Sequence, residues 1–194
     1  MEQHMETIEK NVGVDLGLSP DEKQELLDIV KKTVDEVSHG KTPSRITSSA
    51  QKLMENRGAF VTLHKRGMLR GCIGALQASK PLFLTVQEMA EAACSRDPRF
   101  RPVTADELKF IDYEISVLTP FERLTDIASI KVGLHGLLIR KGARSGLLLP
   151  QVASERNWDV ESFLRETCRK AGLHPEAWKD GDTEIYAFSA DVFS

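Results

Sequence analysis

The segment Leu69-Arg70-Gly71-Cys72-Ile73-Gly74 sets a thiol among a guanidinium and two glycines. If residues 68–76 form a strand, Arg70, Cys72 and Gly74 share a face, because side chains alternate along a strand. A guanidinium near a thiol favours the thiolate, and Gly71 and Gly74 clear space for a ligand or another backbone. This is a setting for a nucleophile or a ligand-gripping thiol. The competing reading is a small buried hydrophobe on a tightly packed strand, since free cysteines are among the most buried residues.

Glu114 lies among apolar residues of a strand spanning 111–118. A carboxylate there is costly unless paired, so a partner such as Arg70, Arg99 or Arg144 is expected, or a role as general base in a cleft. The loop 96–102 carries Arg96, Asp97, Arg99, Phe100 and Arg101, with prolines at 98 and 102. Its three arginines, with Asp97 and with Phe100 as an apolar wall, can bind an anionic group. Equally, it can be structural, with Asp97 capping a turn and the arginines paired. Arg144, Ser145 and Gln151 surround a strand at 146–149 and are either ligand contacts or partners of loop backbone. His64 and His135 read as ordinary surface or edge residues. Cys94 and Cys168 read as packing.

The elements that must position these groups are readable from periodicity. Ser19-Pro20-Asp21-Glu22 is a capping box with proline at the first helical position, and Leu26, Leu27, Val30, Val34 and Val37 follow at helical spacing. A weaker helical stretch carries Ile46, Ala50, Leu53 and Met54. A hairpin turning at Lys65-Arg66-Gly67 leads to a helix begun by Ser79 and Pro81. Thr104 and Glu107 form a second capping box. The strand at 111–118 puts Tyr113, Ile115 and Val117 on one face and Glu114, Ser116 and Leu118 on the other. Residues 120–133 are irregular. A second hairpin spans 136–149, a long helix ends at Gly172, and a last strand covers 183–189.

The two hairpins resemble each other at an offset of 75 residues: Leu63, Lys65, Arg66, Gly67, Gly71 and Ile73 match Leu138, Arg140, Lys141, Gly142, Gly146 and Leu148. A helix follows each. The repeat implies a duplicated strand-and-helix unit, about 58–95 and 133–171, in one core spanning 19–194 after a loose arm at 1–18. The expected class is α+β, with one mainly antiparallel, barrel-like sheet and helices outside. Two-fold symmetry between the units would bring Arg70 with Cys72 and Arg144 with Ser145 to one shared cleft.

Composition limits the function. The chain has 194 residues, with 26 Lys and Arg against 29 Asp and Glu, a formal charge of −3. That makes nucleic acid the weakest partner, because the basic residues gather at two hairpin turns and one loop. No apolar run reaches transmembrane length, and residues 1–11 lack a signal-peptide core, so a cytoplasmic protein is expected. Three cysteines without C-x-x-C spacing argue against a disulfide framework or zinc site, and no metal or cofactor is expected.

Several motifs together resemble the AMMECR domain family. They are the hexapeptide at 69–74, Asp97-Pro98-Arg99-Phe100 with Pro102-Val103, and the run 114–118. The run 144–152, Trp158-Asp159 and Tyr186-Ala187-Phe188 complete the set. The likeness runs from about residue 19 to the C-terminus. It implies an AMMECR-type α+β fold with a duplicated repeat, in agreement with the offset. Microbial members are linked through the AmmeMemoRadiSam system to a Memo-like protein and a radical SAM enzyme. The family supplies no catalytic residues to carry over, so the candidates are those of the residue chemistry. Cys72 and Glu114 are the catalytic candidates. Arg70, Gly71, Gly74, Asp97, Arg99, Arg144, Ser145 and Gln151 are candidates for holding a small molecule or peptide. Two readings stay open, an enzyme or enzyme subunit and a non-enzymatic binding module.

Overall fold

The structure, a computed structural model, describes residues 14–76 and 79–194. Helix α1, Pro20–Ser38, starts at the Ser19–Glu22 capping box and buries Leu26, Val30 and Val34. The hairpin β1, Ala59–Lys65, and β2, Met68–Ala75, turns through Arg66 and Gly67, both at positive φ, as a two-residue turn between twisted strands requires. Helix α2, Leu82–Ser95, and strand β3, Ile111–Leu118, follow. Ser79 does not cap α2. The helix starts instead where the Leu82 amide donates to the Glu55 carbonyl. The stretch around Ile46–Met54 is helical only as a short 3-10 turn, Lys52–Met54.

After the two-residue strand β4, Glu122–Arg123, the second unit repeats the first. Its hairpin is β5, Gly136–Lys141, and β6, Arg144–Leu148. Then come a short helix α3, Pro150–Glu155, the helix α4, Val160–Lys170, and β7, Glu184–Phe188. Gly172, at φ 70, ends α4 as its position after the apolar stripe predicts. Strand β8, Ala190–Phe193, closes the chain.

The class is α+β with antiparallel pairing throughout, but the strands form two four-stranded sheets rather than one barrel-like sheet. Their orders are β2-β1-β3-β8 and β6-β5-β7-β4. Each unit contributes three strands in the same order and sends its last strand into the other unit's sheet, β4 beside β7 and β8 beside β3. Continuation into one sheet is blocked at the β2 edge, where the outward backbone groups of Cys72 are taken by the side chains of Asp97 and Arg99.

The two units share an equivalent close approach. A Cβ on Gly71 would meet the Ala93 carbonyl at the end of α2 at under 3.0 Å, and one on Gly146 would meet the Ala171 backbone just past α4 equally closely. In both units a glycine lets the following helix end lie against the hairpin. The offset of 75 holds for the second strand of each hairpin but slips by one in the first. Gly71 pairs with Leu63, whereas Gly146 pairs with Ile139. The cause is a β-bulge in β2 opposite Leu63 and His64.

Residues such as Val61, Leu63 and Ile115 pack against α1 and α2 in one cluster, and Leu137, Ile139 and Phe163 build a second around α4. Leu118, Phe188 and Ala190 form a third with Phe60, Leu147 and Leu149, where the helix-free faces of the two sheets meet. Residues 1–13 of the expected arm lie outside the described residues. Residues 14–18 are pinned: the Val14 amide donates to the Ala190 carbonyl, the Leu16 amide to the carboxylate of Asp191, and Leu18 is buried. No helix among the described residues is long and apolar enough to cross a membrane.

Candidate functional site

The helix-free face of the first sheet carries a polar row. Cys72 pairs with Thr62, and Thr62 with Glu114, so their side chains stand side by side across β2, β1 and β3. The Thr62 hydroxyl donates to the Cys72 sulfur at 3.3 Å. The next row holds Gly74, Phe60 and Ser116. The Phe60 ring lies over Gly74, where a Cβ would collide with it. The equivalent of the polar row in the second unit, by register from Gly146, is Leu147, Leu138 and Tyr186.

Glu114 is half-buried and has no ion pair or hydrogen bond among the described residues. Arg70, Arg99 and Arg144, the partners expected for it, are engaged elsewhere. Burial pushes its carboxyl above the usual glutamate range; the charge of Glu155 on α3 adds to this and that of His64 opposes it. Cys72 is half-buried, and burial likewise pushes its thiol up. The Thr62 hydrogen bond and the Arg99 charge offset part of that rise, while Asp97 and Glu114 reinforce it. Burial thus outweighs the Arg99 guanidinium, and Arg70, the guanidinium expected to favour the thiolate, does not act on the thiol.

The reason is the bulge. It re-aims Arg70 away from Cys72 and onto Glu107, at 2.8 and 3.0 Å, and onto the carbonyls of Arg101 and Pro102. Lys65 also reaches Glu107 at 2.8 Å, and the Thr104 amide donates to the same carboxylate from its capping box. These donors, Arg70 first, hold the Glu107 carboxyl well below its ordinary range. Arg70 is thus part of a buttress that ties the hairpin tip to the loop before β3.

Asp97 and Arg99 form a clip on the β2 edge. The Asp97 carboxylate, 4% exposed, accepts from the Cys72 amide at 2.9 Å, the Arg99 amide at 3.1 Å and the Arg99 guanidinium at 2.6 and 2.9 Å. The guanidinium also donates to the Cys72 carbonyl at 3.2 Å. Both outward backbone groups of Cys72 are satisfied as a neighbouring strand would satisfy them. Phe100 lies beside both arginines, 5.4 Å from the Arg99 guanidinium carbon and 5.9 Å from that of Arg70.

A groove of about 310 Å³ opens between the sheets. Phe60, Gly74 and Leu76 line one side, and Leu138, Ser145 and Leu147 the other, with Lys170 at its edge. Of the four residues that two-fold symmetry would bring to one cleft, Ser145 lines this groove; Arg70 and Cys72 do not, and Arg144 donates to the Gly172 carbonyl at 2.9 Å. Gly71 serves the helix contact on the opposite face. Gln151 sits in the first turn of α3, with its side-chain oxygen buried and without a partner. Sequence reasoning overlooked Thr62, Phe60 and Ser116. The alternation of Phe60, Thr62 and His64 held the signal, but only the cross-strand register puts Thr62 between Cys72 and Glu114. Among the described residues no group of three or more His, Cys, Asp or Glu side chains is placed to hold a metal.

The family model AMMECR1 matches residues 27–193. This chain belongs to the AMMECR1 family. An AMMECR1 relative from Methanothermobacter thermautotrophicus is 45% identical over 183 residues, covering 91% of this chain and 95% of the relative. Protein TK0174 from Thermococcus kodakarensis is 42% identical over 179 residues, 87% of each chain. The crystal structure of an uncharacterized protein, PH0010 from Pyrococcus horikoshii, superposes with a TM-score of 0.81 at 40% identity. It covers 86% of this chain and 88% of the other. The AMMECR1 fold is thus shared over nearly the whole described chain.

Proposed function

We propose that this AMMECR1 chain is a cytosolic enzyme or enzyme subunit that binds a small molecule or peptide in the inter-sheet groove. Glu114, one cross-strand row from the groove, is its acid–base group, and Cys72 is a thiol in the same row. The observation that carries the reading is Glu114 itself, a half-buried carboxylate with no counter-ion among the described residues. Such a group costs stability. The fold does not require it, because Leu147, Leu138 and Tyr186 fill the equivalent row in the second unit. A carboxyl raised by burial, one row from a groove, is an arrangement that proton transfer near neutral pH uses.

The links to a Memo-like protein and a radical SAM enzyme belong to this reading: the groove would take a ligand that one of them supplies or consumes. The paired basic tips speak against nucleic acid, since Lys65 meets Glu107, and Lys141 meets Asp180 and Asp182. The test combines a carbon-13 carboxyl titration of Glu114 with native mass spectrometry of the chain purified from its own host. The expected results are a titration above the ordinary value of roughly 4.3 and a bound mass that Glu114→Gln loses. An ordinary Glu114 titration together with no bound mass overturns the proposal.

A further inference from the structure

Several polar side chains on this face of the first sheet and on α3 lack a partner among the described residues. The Glu114 carboxylate has no partner among the described residues. Two residues along the same face of β3, Ser116 is 1% exposed and its hydroxyl is also without a partner. Thr62 spends its proton on Cys72, which leaves its oxygen free to accept. On α3, Gln151 and Glu155 are four residues apart and share a face, opposite Ala153, which is buried in the second core. The buried oxygen of Gln151 has no partner, and the charge of Glu155 reaches Glu114. The arginines that might have filled this space are committed, Arg70 to Glu107, Arg99 to Asp97 and Arg144 to the Gly172 carbonyl, which leaves His64, on the same face of β1 as Thr62, as the positive neighbour acting on Glu114. The groove begins one cross-strand row away, roughly 7 Å along the strand, with Phe60 on its wall and Leu138 and Leu147 opposite.

From this juxtaposition we infer that the ligand of the site is an organic amine. Its ammonium group sits at Glu114, within reach of the Thr62 and Ser116 oxygens, and its apolar body lies in the groove between Phe60 and Leu147. An ammonium brings up to three donors and a positive charge to a carboxylate with no ion pair among the described residues and to two hydroxyl oxygens able to accept, and charge-assisted hydrogen bonds of this kind are the strong ones. The inference rests on the proposed role of the groove and specifies its ligand. Lys170 at the groove's edge makes an anion the rival occupant.

The experiment uses three six-carbon probes of equal apolar length: 1-hexylamine, 1-hexanol and hexanoate. Each is titrated into the full chain at neutral pH, with the rate of Cys72 alkylation by iodoacetamide and the melting temperature as readouts. Hexylammonium is expected to protect Cys72 and raise the melting temperature at concentrations about tenfold lower than hexanol, with hexanoate weakest. Glu114→Gln should bring amine and alcohol to equal potency while leaving the residual protection by both. Ser145→Trp, which fills the groove from the opposite sheet without touching Glu114, should weaken all three. Hexanoate or hexanol matching the amine overturns the inference, as does absence of protection by every probe. A Glu114 titration that stays raised in either case leaves the acid–base reading standing.

Discussion

The clip at Cys72 can be tested by removing the Asp97 carboxylate. In Asp97→Ala the Cys72 amide, on a half-buried strand edge, loses the Asp97 carboxylate as its acceptor, and so does the Arg99 amide. An orphaned donor costs about 1–3 kcal/mol and an ordinary hydrogen bond about 0.5–1.5 kcal/mol. The Arg99 guanidinium is half exposed, so losing its ion pair adds at most about 1 kcal/mol. The expected destabilisation is therefore about 2–4 kcal/mol in urea unfolding, with an unchanged denaturant slope. Asp97→Asn should recover little of it. Its amide has one oxygen where the carboxylate has two, and its NH2 group would face either the Cys72 amide or the guanidinium, donor against donor. The pH dependence has a definite sign. The Arg99 guanidinium, with the Cys72 and Arg99 amides, holds the Asp97 carboxyl well below its usual range. Its contribution is then fully present above the unfolded value of roughly 3.9 and is lost as pH falls below it. The stability gap between wild type and Asp97→Asn should be constant from about pH 5 to 8 and narrow toward pH 3. Hydrogen exchange gives a local readout, because the Cys72 amide should lose its protection in both variants. A gap below about 1 kcal/mol at neutral pH, or one that does not narrow in acid, refutes the view that the carboxylate closes the β2 edge.

Two further outcomes follow from the same geometry. Gly71→Ala and Gly146→Ala should each lower unfolding free energy by about 1–3 kcal/mol, because the added methyl meets helix-end backbone that cannot turn aside. Gly181→Ala, with nothing near its Cβ, should stay within about 0.5 kcal/mol of wild type in the same thermal or urea unfolding assay. Arg70→Met should destabilise the chain by about 1–3 kcal/mol through the partly buried Glu107 buttress. It should leave the rate of Cys72 alkylation within about twofold; a large fall in that rate would mean that Arg70 acts on the thiol after all.

The sequence carried local signals well and long-range ones poorly. The Ser19–Glu22 and Thr104–Glu107 capping boxes, the faces of β3 and the Gly172 cap are set by residues within a turn or two of each other, and each appears in the structure. The exchanged strands escaped. Glu122 and Arg123 are both exposed and show no alternation, and β8 is four residues long. A strand that short is fixed by the partner it meets, which periodicity does not record. The site suffered from a single inserted residue. One bulge in β2 moved Arg70 off the Cys72 face and broke the constant offset between the hairpins. Nothing in the local composition marks it, because a bulge is defined by what lies opposite. The expectation that Glu114 would find an arginine failed for a related reason. Arg70 and Arg99 were closer to Glu107 and Asp97, and those pairings satisfy structural needs of the loop and the strand edge first.

The two-unit architecture lets one fold hold a half-buried carboxylate that has no ion pair among the described residues. Both units keep the features that build the sheet: the glycine under the helix end, the tight hairpin and the third strand beside the first. Beyond these the units diverge on the helix-free face. The second unit fills its row with Leu147, Leu138 and Tyr186, and Leu147 joins Phe60 and Phe188 in the core between the sheets. That apolar surface gives the first unit a dry wall to face. The exchange of β4 and β8 then ties each sheet to the other's unit, so the two faces cannot separate without breaking strand pairing on both sides. With the wall fixed in this way, the first unit keeps Cys72, Thr62 and Glu114 in a row whose cost is borne by the rest of the fold. On the proposed reading, a half-buried carboxylate in such a frame would be pre-organised for an ammonium, since the desolvation would be met before the ligand arrives.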